Sequence, residues 1–350
     1  MRQALGVAGI VVGVVLLAAL GAGVWYLAQR RAIDSWGNVA YGPLKDEYVL
    51  VEKGVSVRSL GRQLYEVGAI DDVERLYRLV RWLEPGLSKL KTGEYLIKTR
   101  STPRAILKMI VAGETYQHRV TVPEGSTLKE IAAALEKHNL VKAEAFVATA
   151  HDREFIRSLG VDAESLEGYL AADTYLFARG DSGQKIAAAM KQQLDRVLTP
   201  AWRKRAAEIG MSIHQVLTLA STVEKETGAA DERSLIAGVF HNRLKQDMKL
   251  QTDPTVIYGL PSYRGDIHKA DLAYDHPWNT YLHKGLPPTP IASPGAAAIK
   301  AALWPAKTDA LFFVSRNDGS HVFCPDYQCH EAAVQQWQVE YFGKRPASAP

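Results

Sequence analysis

The sequence predicts an α+β protein with a single N-terminal transmembrane helix, a small α/β module and a larger α+β domain. Three observations predict it: an apolar run near the N-terminus, two similar strand-turn-helix stretches, and a long, mainly helical remainder with a few short strands. The 350 residues are 47% hydrophobic and 23% charged, as expected for a chain that buries a core. The net charge of +4 is small, so nucleic acid is not expected as a partner.

The first element is an apolar segment, 5–28, which lacks charged residues and ends with Trp25 and Tyr26. A run of about twenty apolar residues spans a bilayer as a helix, and aromatic residues are enriched at its interface. We therefore predict a membrane anchor at 5–28 and a short cytoplasmic end at 1–4. The alternative is a cleavable signal peptide, whose apolar core would be shorter. Basic residues flank both ends, so charge alone leaves the orientation open.

A linker is predicted at 29–46, where the composition is mixed and Gly37, Gly42 and Pro43 interrupt regular structure. The small module follows at 47–118. It opens with VEKGVSVRSLGRQLYEVGAI, a short strand, a glycine turn and an amphipathic helix. TGEYLIKTRSTPRAILKMIVAGE then predicts a strand at 94–97, a helix start at 101–103 and a glycine stop.

The strand-turn-helix stretch of the module has a counterpart, VPEGSTLKEIAAALEKHNLV, which begins at Val122. The first of the two resembles a LysM module, a small fold associated with binding polymers that contain N-acetylglucosamine. The alternative is a generic α/β unit, since many such units use a strand, a glycine turn and a capped helix. Residues 119–342 form the predicted larger domain, with a core at 209–342 and a disordered tail at 343–350.

A helix is predicted at 211–228, where Ser212 is the N-cap, Gln215 completes a capping box and Gly228 ends the helix. Its apolar positions share one face, and the helical period separates the two acidic residues at its end. Glu224 falls inside the apolar face, so it is predicted to be a buried carboxylate paired with a base such as Arg233 or Arg243.

Glu226 falls at the edge of the same apolar face. A half-sheltered carboxyl group at the negative end of a helix has a raised proton affinity, which suits a general acid. The alternative is a solvated charge at the helix end.

Four segments, read in order, carry a resemblance to a known family: ASTVEKET, VFHNRLKQDMKLQTDPTVIYG, WNTYLHKGLPPTPIASPGAAAIKAAL and FFVSRNDGSHVF. They closely resemble the endolytic murein transglycosylases, the YceG-like family. The resemblance implies a lyase of the peptidoglycan lytic transglycosylase class that cuts glycan strands internally. It would cleave between N-acetylmuramic acid and N-acetylglucosamine, leave a 1,6-anhydro end, and so terminate glycan elongation.

The resemblance also implies the catalytic residue, because the family uses a glutamate followed by a hydroxyl residue. This assigns catalysis to Glu226, with Glu224 and Thr227 in support. Substrate contacts are predicted from the polar and aromatic residues of the second and third segments, for each of which a turn or core role is the alternative. These residues are Asn242, Gln251, Thr252, Asp253, Tyr258, Asn279, Thr280 and Tyr281.

The resemblance further implies a single-pass protein of the cell inner membrane, with the bulk of the chain on the periplasmic side. Its partners would be peptidoglycan glycan strands and, as candidates, peptidoglycan synthases. No metal or nucleotide cofactor is expected, since P-loop, GxGxxG and HExxH patterns are missing. Cys324 and Cys329, flanked by His321 and His330, favour a disulfide or two free thiols over a metal site.

The sequence is also compatible with two other functions. One is a non-catalytic peptidoglycan-binding scaffold, in which the LysM-like module does the work. The other is a muramidase, a hydrolase that uses Glu226 together with a second carboxylate, Asp253. A turn-forming role before Pro254 is the alternative for Asp253.

Overall fold

The computed structural model describes residues 2–226 and 229–340, with side chains described from residue 12 onward except at 230. The predicted tail at 343–350 lies outside the described residues. Within them the chain divides into two compact units, of which the first ends at His118 and also takes in Ala178–Gly180. The mixture of helices and strands agrees with the predicted fold class, and the strands form three two-stranded sheets in the described part of the chain.

The N-terminal helix, α1 (Arg2–Gly37), contains the predicted anchor. Its stretch Val12–Gly37 is long and apolar enough to cross a membrane. From Val12 to Leu27 the large apolar side chains are exposed, as they are in a helix whose apolar surface faces lipid.

The predicted linker at 29–46 is wrong up to Gly37, because α1 continues to that residue. Ile33 and Trp36 lie three residues apart on one face of the helix and are buried in the core of the first unit. The Trp36 indole N–H also donates to Asp71 Oδ1 at 2.7 Å. Burial of an aliphatic and an aromatic side chain thus extends the helix into the segment that composition alone marked as irregular.

The rest of the first unit places two helices between two antiparallel strands, followed by a third helix. These elements are β1 (Glu47–Val51), α2 (Val57–Glu66), α3 (Val73–Arg78), β2 (Gly93–Ile97) and α4 (Pro103–Ala112). In the sheet, Val49 lies opposite Tyr95. The predicted strand and helix at 94–113 are confirmed: the Thr102 hydroxyl caps α4, and Gly113 ends it with a φ of 79°.

The second unit, with the strand that leads into it, is mainly helical. Its elements are β3 (Gln117–Thr121), α5 (Leu128–Lys137), α6 (Ala143–Ala150), α7 (Arg153–Ser158), β4 (Thr174–Ala178), α8 (Gly183–Val197), α9 (Pro200–Glu208), α10 (Ile213–Glu226), α11 (Arg233–Lys245), α12 (Asp253–Gly259), α13 (Lys269–Leu272), α14 (Ala296–Leu303), β5 (Phe312–Ser315), β6 (His321–Cys324) and α15 (Tyr327–Val334). Helix α10 packs against α11 and α14 in the middle of the core, which fixes the position of its C-terminal end.

The two similar stretches fold alike. In each, a strand is followed by a glycine with positive φ, 83° at Gly54 and 77° at Gly125, and by a helix capped by a hydroxyl side chain. Thr127 and Glu130 form a complete capping box on α5. The positive φ explains why both stretches have glycine at the turn.

The C-terminal part of the second unit is a β5–β6 hairpin joined to α15 by a disulfide between Cys324 and Cys329, whose Cα atoms are 5.5 Å apart. Of the alternatives that the sequence left open, the structure contains the disulfide.

Replacing both cysteines by alanine should lower the free energy of unfolding by about 2 kcal/mol, since the disulfide closes a short loop and restricts the unfolded chain only modestly. Urea unfolding with and without a reducing agent measures the loss. The reductant should shift the midpoint of the wild type and leave the double variant unchanged. A wild-type midpoint that is the same with and without the reductant would contradict a stabilising role of the disulfide.

Candidate active site

The site is built on helix α10, which begins with the predicted capping box. The Ser212 N–H donates to Gln215 Oε1 at 2.8 Å, and the Gln215 N–H donates to Ser212 Oγ at 3.2 Å. Every side chain from Val216 to Val223 is buried, so the helix is held on all sides before it reaches the two glutamates. Thr227 and the predicted stop at Gly228 lie outside the described residues.

Glu224 is a buried carboxylate with two partners. Arg233 Nη2 donates to its Oε1 at 3.3 Å, and the Gly295 N–H donates to its Oε2 at 2.9 Å. Only 6% of its side chain is exposed. Both carboxylate oxygens are therefore engaged in holding α10 to α11 and to the start of α14. Of the two predicted partners, Arg233 and Arg243, it is Arg233 that pairs with Glu224.

Glu226 is half-buried at the end of α10 and opens onto a cleft. The Thr252 hydroxyl donates to its Oε1. Burial raises the pKa of Glu226 to about 7, and the negative charge of Asp253 acts in the same direction, while the Thr252 hydrogen bond and the charge of Arg243 oppose the rise. Near neutral pH this carboxyl group is thus held between its protonated and ionised forms, as acid–base chemistry requires.

Asp253 begins α12 and lines the same cleft. The Tyr281 hydroxyl donates to its Oδ1 at 2.7 Å, and burial together with this carboxylate raises the pKa of Tyr281. One oxygen of Asp253 is therefore engaged, and its charge helps to keep the proton on Glu226.

Arg243 is a site residue that the sequence analysis considered only as a partner for Glu224. It is 6% exposed, its Nε donates to the Leu311 carbonyl at 2.6 Å, and its Nη1 donates to the Leu250 carbonyl at 2.7 Å. Its charge lies near Glu226 and favours the ionised carboxylate. Arg243 can thus stabilise Glu226 after the glutamate has released its proton. The only sequence signal was a basic residue in the second of the four family segments, which does not reveal the carbonyls that hold it.

The cleft around Glu226 has a volume of about 400 Å³ and combines acidic, basic and aromatic side chains. Phe312, Phe313 and Tyr327 supply aromatic surface from the hairpin and α15. Arg243 Cζ lies 5.1 Å from the centre of the Phe312 ring, within the range of a cation–π interaction. This contact places the guanidinium next to the aromatic side chains of the cleft. A cleft with flat aromatic faces and a few polar groups is suited to a sugar chain.

Four of the predicted substrate-binding residues meet at this cleft. Gln251, Asp253 and Tyr281 line it, and Thr252 reaches it through its hydrogen bond to Glu226. Tyr281 is 28 residues away from Asp253 in the sequence, and the hydrogen bond from its hydroxyl to the Asp253 carboxylate joins the two segments.

Three other predicted contacts form hydrogen bonds inside the fold, and their part in substrate binding stays a prediction. Asn279 is fully buried and its amide donates to the carbonyls of Leu272 and Tyr274 at 3.0 and 2.8 Å. Thr280 is 2% exposed, and its hydroxyl accepts from the Thr252 N–H at 3.1 Å. The Asn242 amide donates to two backbone carbonyls of the 308–310 segment. All three hold the loops that shape the site.

Tyr258 is also not at the Glu226 cleft. It lines a second cavity, where its hydroxyl donates to Glu167 Oε2 at 3.0 Å. Glu167 is 3% exposed and accepts from the Leu128 N–H at 3.0 Å, and burial raises its pKa to about 7. Glu167 was not predicted from the sequence, because a lone glutamate before a glycine carries no periodic signal.

The two histidines considered as metal ligands both line the Glu226 cleft. His321 Nδ1 lies 2.6 Å from Glu232 Oε2, and the backbone N–H of His321 donates to Glu232 Oε1 at 2.9 Å. Burial and the charge of Arg243 lower the pKa of His330, and its Nδ1 has no hydrogen-bond partner among the described residues. The lowered pKa keeps the His330 imidazole neutral near neutral pH, and its unpaired Nδ1 is buried beneath the cleft surface.

A mixed α and β domain with a sheltered carboxyl group in an open cleft, whose pKa lies near neutral pH, is typical of an acid–base enzyme. The chain belongs to the YceG-like family, whose model matches residues 49–336. The resemblance found in the sequence is thereby confirmed.

Similar proteins include two that are named endolytic murein transglycosylase. An endolytic murein transglycosylase of Bacillus subtilis is 32% identical over 304 residues, covering 82% of this chain and 83% of that protein. One of Streptococcus pneumoniae serotype 2 is 28% identical over 356 residues, covering 92% of this chain and 64% of that protein. A crystal structure of a YceG-like protein from Listeria monocytogenes matches with a TM-score of 0.58 at 30% identity, over 82% of this chain and 98% of that one.

Proposed function

We propose that this chain is an endolytic murein transglycosylase, a lyase that cuts peptidoglycan glycan strands with Glu226 as its general acid and base. The observation that carries the proposal is the position of Glu226, a carboxyl group with a pKa of about 7 in an aromatic-lined cleft. The family and the names of its relatives supply the substrate class.

In this reaction one carboxyl group acts twice. Protonated Glu226 donates its proton to the glycosidic oxygen between N-acetylmuramic acid and N-acetylglucosamine, and the bond from C1 to that oxygen breaks. The 6-hydroxyl of the same muramyl residue then attacks the positive centre at C1 and releases its proton to the Glu226 carboxylate. The product is a 1,6-anhydro end, no water is consumed, and the enzyme returns to its starting form.

The surrounding groups fit both halves of this cycle. Before cleavage, burial and the charge of Asp253 keep the proton on Glu226. After the proton has left, the Thr252 hydroxyl and the Arg243 guanidinium stabilise the carboxylate until it accepts the second proton. Asp253 and Tyr281 are positioning residues in this account, held together by their hydrogen bond.

A muramidase is the second candidate, and the observation in its favour is that Asp253 lines the same cleft as Glu226. A hydrolase needs a second carboxylate to attack the sugar or to activate water. Against this role, one oxygen of Asp253 already accepts the Tyr281 hydroxyl. A non-catalytic peptidoglycan-binding scaffold would not require the raised pKa of Glu226.

The membrane anchor in this proposal is α1, with the units that follow it on the periplasmic side of the inner membrane, where the substrate lies. The first unit would act as a LysM-like module that holds the glycan strand, and cleavage next to peptidoglycan synthases would end strand elongation. The length and apolar surface of α1 support the anchor.

Identification of the new glycan ends tests the proposed reaction. Full-length protein in detergent is incubated with peptidoglycan, and the ends are identified by mass. Anhydro ends, one water lighter than reducing ends, are the expected product. Reducing ends would replace the proposal by the muramidase, and intact strands would replace it by the scaffold.

Thr252→Val should move the alkaline limb of the kcat/KM profile to higher pH by about one unit, because a charge-assisted hydrogen bond to the carboxylate is lost. Activity requires protonated Glu226, so activity falls as the pH rises above the pKa of that group. A higher pKa therefore extends activity to higher pH. Thr255→Val is the matched control, since that hydroxyl donates to the Thr252 carbonyl. A limb that stays in place in Thr252→Val would exclude Thr252 as a determinant of this pKa.

A further inference from the structure

A second cavity lies on the other side of the elements that carry the catalytic groups. Its volume is about 700 Å³. Neighbouring residues line the two spaces. Asp253 lines the Glu226 cleft and Pro254 the second cavity, and in the same way Glu226 faces its own cleft while Lys225 lines the second cavity. Consecutive Cα atoms are about 3.8 Å apart, so the two spaces are separated by little more than the first turn of α12 and the end of α10.

The wall of this cavity is aromatic and apolar. Tyr258 and Trp278 meet edge to face with their ring centres 5.4 Å apart, and each is fixed by a hydrogen bond. The Trp278 indole N–H donates to Thr289 Oγ1 at 2.9 Å. Tyr263, 43% exposed, and Ile257 extend the surface. Such a rigid wall is already formed and can receive small apolar groups without rearrangement.

Two lysines at the rim give the cavity its free charge. Lys129 and Lys225 are exposed, and Lys225 makes one hydrogen bond of 3.3 Å, to the Gly125 carbonyl. The two acidic lining residues, Glu130 and Glu167, offset this charge only in part. Glu130 keeps its negative charge, but its Oε2 is held by the Thr127 N–H and hydroxyl, and burial of Glu167 keeps a share of its carboxyl groups protonated at neutral pH. The cavity thus offers positive charge at its edge and apolar surface within.

We propose that this second cavity binds the peptide branch that murein carries on its muramyl residues. The inference rests on the proposed function, which seats a muramyl residue next to Glu226. A branch leaving that sugar needs to pass only the first turn of α12 to enter the cavity. Its carboxylates complement Lys129 and Lys225, and its small alanine side chains fit against Tyr258 and Trp278. An uncharged glycan strand would leave the two lysines without a partner.

The test compares two substrates of the full-length enzyme in detergent: glycan strands that carry peptides, and the same strands stripped of them by an amidase. The variant is Lys129→Ala/Lys225→Ala. Exposed ion pairs contribute modestly, so the KM for peptide-bearing strands should rise about threefold to tenfold with kcat unchanged. The KM for stripped strands should stay the same. Lys137→Ala/Lys204→Ala, which removes the same charge from exposed positions outside both cavities, is the control.

An equal rise of KM on both substrates would overturn the inference, since the lysines would then act on the glycan. An unchanged KM on both would overturn it as well. Failure of the proposed function looks different, because the wild type would then form no anhydro ends from either substrate.

Discussion

Glu226→Gln should lower kcat for glycan cleavage by about 1,000-fold, a typical loss for a missing general acid and base. The amide has nearly the same shape as the carboxyl group and keeps an oxygen that can accept the Thr252 hydroxyl, but it cannot donate a proton to the glycosidic oxygen. Release of anhydro ends over time measures the loss. The folded structure should persist, since Glu226 has no salt-bridge partner among the residues described in the structure.

The matched comparison is Glu224→Gln, two residues earlier on the same helix. Its carboxylate faces Arg233 and Gly295 in the protein interior, away from the cleft. Activity per folded molecule should therefore remain within a few-fold of the wild type. Full activity in Glu226→Gln, together with its loss in Glu224→Gln, would reverse the assignment of the two residues.

Glu224→Ala should instead destabilise the fold, by about 3–5 kcal/mol in the free energy of unfolding, because it leaves the Arg233 guanidinium buried without its charge partner. The Gly295 N–H loses its acceptor as well. Urea unfolding measures the change. The double variant Glu224→Ala/Arg233→Met should recover part of the loss, since the unpaired charge is gone. A change below about 1 kcal/mol would show that the pair is solvated.

Stability should also depend on pH through Glu226. Its pKa rises from an ordinary value of 4.5 to about 7 on folding, so the folded chain binds more protons than the unfolded chain between these values. The stability contribution of this group therefore decreases as pH rises from about 4.5 to 7. Glu226→Gln removes that loss and should be more stable than the wild type above pH 7, by about 1–3 kcal/mol. An equal stability of the two proteins at pH 8 would contradict this.

The parts of this molecule that the sequence predicted are those set by local rules. The capping box at Ser212, the glycine turns and the phase that separates Glu224 from Glu226 all depend on residues within a few positions of one another. The family was recognised because four long segments carry it in order. The LysM-like resemblance of the first unit stays a prediction.

The parts that the sequence did not predict depend on contacts between distant segments. Arg243 is held by carbonyls around Leu250 and Leu311, and Asn279 serves loop backbone where a sugar contact was expected. Neither pattern has a sequence period. Trp36 likewise lies in a helix where a linker was predicted. Its hydrogen-bond partner, Asp71, is 35 residues away in the sequence, so local composition does not reveal the contact. Polar side chains near a site either line it or shape it, and only their hydrogen-bond partners tell which.

The most direct test of the central claim is the titration of Glu226 itself. The infrared absorption of protonated carboxyl groups is recorded from pH 4 to pH 9 for the wild type and for Glu226→Gln, and the spectra are subtracted. Glu167, whose pKa is also raised to about 7, is present in both proteins and cancels. The difference should disappear with a midpoint at about pH 7. A midpoint near the ordinary value of 4.5 would contradict the claim, because Glu226 would then carry no proton to donate at neutral pH.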